Sequence, residues 1–198
     1  GSEIKELTET ADPSGTGSTK EAAYTVSQKG TYAFVAQSGT GETDREEVTV
    51  YEAVFAAQNG TNDQTQLVIS GGTLTEPAKP EKQGYTFAGW FTQTVDGSKW
   101  SFTDTIGMDT TLYARWTPNE DTRYVVRHWT QNMDGAEQPY DQSNYTLFKT
   151  EEKTDGITDG MLTLADLSQS ISGCSYALGR VDGSTVEQAQ VLADGSLE

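Results

Sequence analysis

The sequence predicts a mainly β protein, built from small β-rich modules in a tandem, elongated arrangement. Three observations predict this class: apolar and polar residues alternate in short runs, Gly, Asn, Asp and Pro separate those runs, and helical periodicity is weak throughout. Of the 198 residues only 34% are hydrophobic, yet 10% are aromatic. This composition favours several thin cores held by aromatic side chains over one large core.

The charge of the chain limits its partners. The formal net charge is −17 and no segment is basic, so we expect no nucleic-acid binding. No apolar run approaches about 18 residues, so we expect no membrane insertion within these residues. Cys174 is the only cysteine, which excludes an intrachain disulfide. Gly1-Ser2 and residues 196–198 are typical of cut ends, and we expect a piece of a longer protein.

The first part, residues 1–50, begins with a polar stretch and ends in strand signals. Residues 31–36 and 47–50 alternate like strands on either side of the turn sequence SGTGETDRE. The run YTVSQKGTYAFVAQSGTGETDREEVTV resembles the last three strands of bacterial immunoglobulin-like modules. Such a sandwich needs about 80–100 residues, so residues 1–50 are predicted to be a partial segment of this type or a linker.

The second part, residues 51–118, is predicted to be a small β module. Alternation and turn residues predict strands at 50–56, 66–69, 85–87, 100–102 and 112–116. Pro77 and Pro80 predict an extended connection before Gly84, because proline fixes φ and biases the preceding residue away from helix.

One strand of this part needs a bulge. In a regular strand Tyr85, Phe87 and Gly89 would lie on one face and Trp90 on the other. Glycine inside a strand often marks a bulge, and a bulge at Gly89 would change the direction of Trp90. We therefore expect the bulge between Phe87 and Trp90.

Three motifs of the second part, PxxPxxxGYTFAGWF, DGSKWSF and DTTLYARW, follow one another in a fixed order. Together they resemble the Listeria–Bacteroides repeat, also called the internalin-type B repeat, over about 65–70 residues. The resemblance implies a β-grasp-like module, of β-rich α+β type, in a bacterial surface protein. The motif positions are Pro77, Pro80, Gly84, Tyr85, Phe87, Gly89, Trp90, Phe102, Leu112, Tyr113 and Trp116.

The aromatic residues of these motifs have two interpretations. A buried aromatic side chain removes about 150–250 Å² from water, so a few of them supply the core of a small module. Alternatively, Trp90, Trp100 and Trp116 form an exposed platform on which a sugar ring stacks. These three tryptophans are therefore the candidate ligand-binding residues.

The third part, residues 119–198, is predicted to contain strands at 123–129 and 145–152 and one or two helical turns within 162–171. The segments YVVRHWTQNMDG, YTLFKTEEKTDG, SYALGRVDG and VLADGS resemble a second repeat family of gut Gram-positive surface proteins, distantly similar to mucin-binding-protein repeats. Those repeats continue after ADGS with an apolar strand. The resemblance implies a module that lacks its last strand, which leaves strand borrowing and the oligomeric state open.

Patterns for catalysis and metal binding are weak. A Cys–His pair would require Cys174 next to His128, and the spacing does not indicate one. Residues 155–160, DGITDG, match a calcium loop only in part, because Ile157 occupies a ligand position and the closing Glu is missing. A Lys–Asn isopeptide crosslink stays open, since no motif selects its residues. We expect no catalytic residue, no cofactor and no metal.

These observations favour a non-catalytic stalk or adhesion region of an extracellular bacterial protein, secreted or associated with the cell wall, which spaces or presents a binding domain. One alternative is a module that binds a host glycan of mucin type or a host surface protein. Another is an accessory region of a secreted carbohydrate-active enzyme.

Overall fold

The computed structural model describes residues 25–37, 43–132, 142–172 and 179–198. These residues form a mainly β fold, which confirms the predicted class, and their helices are two short 3₁₀ turns at Gln142–Asn144 and Leu164–Leu167. The strands are β1 Gly30–Gln37, β2 Thr43–Ala56, β3 Gln64–Ile69, β4 Tyr85–Phe91, β5 Thr110–Pro118, β6 Thr122–Gln131, β7 Tyr145–Gly156, β8 Met161–Thr163, β9 Gly179–Val181, β10 Ser184–Val186 and β11 Gln188–Gln190.

The largest sheet has five strands in the order β1-β2-β5-β4, with β3 also paired to β2. β2 is antiparallel to β1 through its first half and antiparallel to β3 from Val50 to Phe55. Its last residues, Ala53–Ala56, pair in parallel with Thr110–Tyr113 of β5. β4 completes the sheet antiparallel to β5.

β2 is one continuous strand of 14 residues. The strands predicted at residues 47–50 and 50–56, on either side of a boundary between two parts, are joined in this one strand, because the alternation continues through Val50 without a turn residue. Ala53 and Phe55 of this strand are buried at 0% and 1% exposure, respectively. The division of the chain into three modules remains a prediction.

The β-bulge expected in β4 is present. The register between β4 and β5 shifts between Phe87 and Gly89, and Gly89 has a φ of 130°. Beyond the bulge, Trp90 lies next to Phe87 in the same core, with ring centroids 5.5 Å apart in an edge-to-face arrangement. The bulge therefore places Phe87 and Trp90 on the same face of the sheet, although a regular strand would place them on opposite faces.

The core under this sheet is small and aromatic. Trp90 also packs edge-on against Phe55, at 5.1 Å between ring centroids, and Phe87 packs against Trp116 at 5.5 Å. Edge-to-face geometry suits rings whose faces are negative and whose edges are positive. The buried residues of this core are Ala53, Phe55, Ala57, Leu74, Trp90, Ile106, Leu112 and Ala114.

The predicted strand at residues 100–102 is wrong. The Trp100 N–H donates to the Trp90 carbonyl at 2.7 Å, and the chain then turns, because Asp104 N–H donates back to Ser101. The prediction for residues 162–171 is partly right, since β8 at Met161–Thr163 is followed by the 3₁₀ turn Leu164–Leu167.

In the third part, β6 and β7 form a long antiparallel pair, while β8 pairs with β11 and β9 with β10. A second core lies here, and its buried residues are Tyr124, Ala189, Val191 and Leu197. Val125 N–H donates to the Leu197 carbonyl at 2.9 Å, which attaches the last described residues to β6. The predicted lack of a final strand remains a prediction.

Candidate functional site

The main candidate site is a groove of about 350 Å³ beside the bulge of β4, called here the aromatic groove. Its floor and walls are Phe87, Trp90, Trp100 and Phe102, together with the backbone around Gly89. The charged residues that line it are Glu76, Lys79 and Lys99.

Three segments build the groove. The extended connection between β3 and β4, which carries the two prolines of the repeat motif, brings Glu76 and Lys79 to one side. The turn after Asp96-Gly97 brings Lys99 and Trp100 to the other side. The bulge between them requires glycine because Gly89 has a φ of 130°, which L side chains rarely adopt; a Cβ there would also lie 2.5 Å from Lys99 Cε, the end of a flexible side chain. The alkyl chain of Lys99 therefore lies across the bulge.

The tryptophans of the proposed platform lie in different environments. Trp90 is only 4% exposed, and Trp100 is half-buried at the groove. Both indole N–H groups are buried and have no acceptor among the described residues. Trp116 does not line the groove, and its indole N–H donates to the Ala57 carbonyl at 3.0 Å. The structure thus brings Trp90 and Trp100 together but places Trp116 elsewhere, and the platform remains a prediction.

Lys79 and Lys99 differ from the other basic residues that the structure describes. Every other described Lys and Arg has an ion pair, a hydrogen bond or a ring contact; for example, Lys82 lies 4.1 Å from the centroid of the Tyr85 ring. Lys79 and Lys99 have none of these contacts among the described residues. These two lysines, which lack a carboxylate partner among the described residues, line the same groove of a chain whose net charge is −17. Neither lysine is among the residues predicted to bind a ligand.

A second, shallow pocket of about 580 Å³ contains Lys29 and Glu52. Lys29 Nζ lies 2.7 Å from Asp109 Oδ2 and 3.4 Å from Glu52 Oε2. The hydrogen bond to Asp109 raises the pKa of Lys29, while the Glu52 backbone N–H and Lys29 lower the pKa of Asp109. An isopeptide bond would need a neutral amine and a protonated carboxyl group. The arrangement favours an ion pair between the β1–β2 hairpin and the start of β5.

The residues considered for catalysis and metal binding lie as follows. Cys174 is outside the described residues, so the Cys–His pair is untested. His128 Nε2 lies 3.6 Å from Glu151 Oε2, and Glu151 also contacts Lys149 and Lys153. These lysines, Lys149 first, lower the pKa of Glu151 to about 2. Within the described ranges, no group of three or more His, Cys, Asp or Glu side chains could hold a metal ion.

A third feature of functional interest is the contact between the second and third parts, called here the joint. Asn119, which follows β5, bonds in three directions. Its N–H donates to the Gly84 carbonyl and its carbonyl accepts from Thr158 N–H, both at 2.9 Å. Its side-chain oxygen accepts from the Thr86 hydroxyl at 2.9 Å. One residue therefore connects the β4 corner with the turn after β7.

Two further contacts close the joint. The Tyr85 hydroxyl donates to the Asp159 carboxylate, and this hydrogen bond raises the pKa of Tyr85. Gly84 has a φ of 76°, and a Cβ there would lie 2.8 Å from Ala193 Cα. Asp159, part of the superficial calcium pattern, thus has a structural partner. Glycine and tyrosine of the GYTF motif were predicted only to start a strand, so their role at the joint was missed.

Comparison with known proteins confirms the repeat predicted at about residues 51–118. The profile of the Listeria-Bacteroides repeat domain matches residues 51–115. The predicted mucin-binding-like and immunoglobulin-like resemblances remain predictions. Within the described residues, no helix is long and apolar enough to cross a membrane.

Three longer proteins are similar to part of this chain. A putative membrane protein of Evansella cellulosilytica is 35% identical over 94 residues, which cover 47% of this chain and 14% of the relative. A putative Gly-rich membrane protein of that organism is 36% identical over 74 residues, 37% of this chain and 9% of the relative. Internalin H of Listeria monocytogenes is 35% identical over 103 residues, 50% of this chain and 18% of the relative. The chain therefore spans less than a fifth of each.

Proposed function

We propose that the chain is a non-catalytic spacer region of a bacterial cell-surface or secreted protein, which holds a binding domain at a distance from the cell. The observation that carries this proposal is the joint. Asn119 bonds to Gly84, Thr86 and Thr158 at once, so a change of angle between the two parts would break several hydrogen bonds together. A spacer needs this resistance to bending.

The comparisons support this setting. The repeat match, and the names internalin and membrane protein among the relatives, support a surface-associated region. We extend this to an extracellular location, with secretion or attachment to the cell wall, and to the absence of catalysis. We further propose that residues 51–118 are a β-grasp-like repeat module and that residues 119–198 are a following module of mucin-binding-repeat type.

The first part also belongs in this arrangement. β1 pairs with β2 from Gly30 to Gln37, and Lys29 contacts Asp109 at the start of β5. We propose that this partial β segment within residues 1–50 joins the repeat module to whatever lies before it. Force or displacement at the first part would then pass directly into the main sheet.

Small-angle X-ray scattering and NMR residual dipolar couplings test the spacer. A compact protein of 198 residues has a radius of gyration of about 16 Å, and we expect a value above about 20 Å. Couplings from β5 and β6 should fit one alignment tensor, because the joint fixes the two parts. A compact radius, or two independent tensors, would contradict the proposal. A variant with four glycines inserted after Glu120 is the control that should give independent tensors.

A second candidate function is recognition of a host glycan. The aromatic groove favours it, because Trp100 and Phe102 line a concave surface of about 350 Å³ together with charged groups. Small-molecule sites are typically 300–1,000 Å³, with apolar walls and few polar groups. Titration with simple sugars, followed at the tryptophan indole N–H signals, tests whether the groove binds at all.

A further inference from the structure

We infer that the aromatic groove binds a sugar residue that carries a carboxylate, such as a uronic acid unit of a glycan. This inference rests on the second candidate function and adds the charge of the ligand to it. It comes from two independent observations on the groove: the aromatic walls, and the two lysines that have no partner among the described residues.

The charge argument begins with the surroundings. The chain has 30 Asp and Glu residues and 13 Lys and Arg residues, so acidic side chains outnumber basic ones by more than two to one. Lys79 and Lys99 come from different segments, lie exposed at the same groove and take no ion-pair partner there, although Glu76 also lines it. Two lysines and one carboxylate line the groove, which leaves it a local excess of one positive charge. An anionic ligand would neutralise it.

The net charge of −17 does not override this local field. At physiological salt the Debye length is about 8 Å, so carboxylates elsewhere on the surface are largely screened from a ligand in the groove. The two lysines line the groove and are therefore nearer to a bound ligand than the carboxylates outside it. The charges of the residues that line the groove therefore determine whether it prefers an anionic or a cationic ligand.

The walls favour a ring over a small inorganic anion. Phe87, Trp100 and Phe102 give the groove apolar faces, against which the C–H faces of a sugar can pack. The indole N–H groups of Trp90 and Trp100 are themselves buried, so a ligand would contact the ring surfaces that line the groove and not these donors. A volume of about 350 Å³ lies at the lower end of small-molecule sites, which suits one sugar unit rather than a long chain.

The side chain of Lys99 lies against the bulge of β4. Its alkyl chain lies across Gly89, where a Cβ would be 2.5 Å from Lys99 Cε. The absence of a side chain at Gly89 therefore lets the lysine stem lie against the bulge, beside the groove. A methionine in its place keeps an unbranched stem and removes only the charge.

The test uses D-glucuronate and D-glucose as a matched pair of probes. The chain has four tryptophans, so their four indole N–H signals can be assigned by single Trp→Phe variants and followed during titration. We expect glucuronate to shift the signals of Trp90 and Trp100 while Trp129, which lies on β6, stays unchanged. Glucose should bind about tenfold more weakly, because two exposed charge contacts together contribute about that factor.

Lysine variants then separate the charge from the ring contacts. The double variant Lys79→Met/Lys99→Met should lower the affinity for glucuronate about tenfold and leave the affinity for glucose unchanged. Lys82→Met, which removes one charge over the Tyr85 ring, is the control and should bind both probes as the parent chain does.

Each other outcome overturns the inference. Equal affinity for the two sugars would refute the carboxylate preference but leave the groove as a sugar site. Weak sites bind their ligands with millimolar dissociation constants, so about 50 mM of either probe should produce a shift. If neither glucuronate nor glucose shifts any indole signal at that concentration, both the carboxylate preference and the sugar site are refuted. Equal shifts of all four indole signals would indicate non-specific binding. None of these outcomes affects the spacer proposal, which scattering and dipolar couplings decide.

Discussion

The substitution Gly84→Ala tests the joint most directly. Gly84 has a φ of 76°, a conformation that costs an L-residue about 1–2 kcal/mol. Its added Cβ would also lie 2.8 Å from Ala193 Cα and Cβ and 2.9 Å from the Ala193 carbonyl oxygen. Backbone atoms form most of this contact, so relief requires the two parts to separate. Overpacking of this kind costs about 1–3 kcal/mol, and we expect a total of about 2–5 kcal/mol.

Gly71→Ala is the matched control. Gly71 has a φ of 80°, almost the same as Gly84, but a Cβ there would meet nothing within 4 Å. It should therefore lose only the backbone component, about 1–2 kcal/mol. The difference between the two variants, about 1–3 kcal/mol, isolates the contact across the joint. Ala193→Gly should rescue little of it, because the Cα and the carbonyl oxygen of Ala193 remain.

Urea denaturation followed by tryptophan fluorescence, together with ¹H–¹⁵N NMR spectra, measures the effect. In Gly84→Ala the amide signals of Asp159 and Ala193 should move, and the dipolar couplings of β5 and β6 should no longer fit one tensor. In Gly71→Ala both should stay as in the parent chain. Equal losses of stability in the two variants, with no change at Ala193, would refute the assignment of the joint.

Three further predictions concern the cores and the ion pairs. Trp90→Ala should destabilise the repeat by about 3–5 kcal/mol in urea denaturation, because it removes the ring that contacts Phe55 and Phe87; a change under 1 kcal/mol would contradict this core. The pKa of Glu151 is lowered to about 2, so its contribution is complete above its ordinary pKa near 4.5 and is lost as the pH falls towards 2. Glu151→Gln should accordingly show a smaller loss of stability between pH 5 and pH 2 than the parent chain, and identical pH profiles would count against the cluster. Asp109→Asn keeps an acceptor for the Glu52 N–H but removes the ion pair with Lys29, so its stability deficit should shrink at high salt. A deficit that is independent of salt would indicate a different cause.

Several strands of the main sheet and of the β6–β7 pair were predictable because each carries a local signal. β3, β5, β6 and β7 alternate between apolar and polar positions, and turn residues delimit them. The bulge of β4 was also predictable, since Gly89 stands where a regular strand would send Trp90 to the wrong face. Local steric rules therefore determine these features.

The features that were missed depend on contacts between distant residues. Trp100 and Phe102 alternate like strand residues, but the chain turns after the single bond from Trp100 to Trp90, and no local signal records this. The three bonds of Asn119 and the contact between Gly84 and Ala193 join residues that are far apart in the sequence. Whether Lys79 and Lys99 have ion-pair partners can likewise be judged only from the three-dimensional positions of the surrounding carboxylates.

The parallel pairing of β2 with β5 has a mechanical consequence. Tension on the chain enters through β1 and leaves through β5. The tension acts first on the Gly30–Val50 pair at the open end of the β1–β2 hairpin. The hydrogen bonds between β1 and β2 therefore break sequentially, in an unzipping geometry. Once the pull reaches the start of β2, it acts along β2 and β5 in opposite directions, and the Ala53–Ala56 ladder must shear as a whole. Under stretching, a soft extension should therefore precede a stiff one.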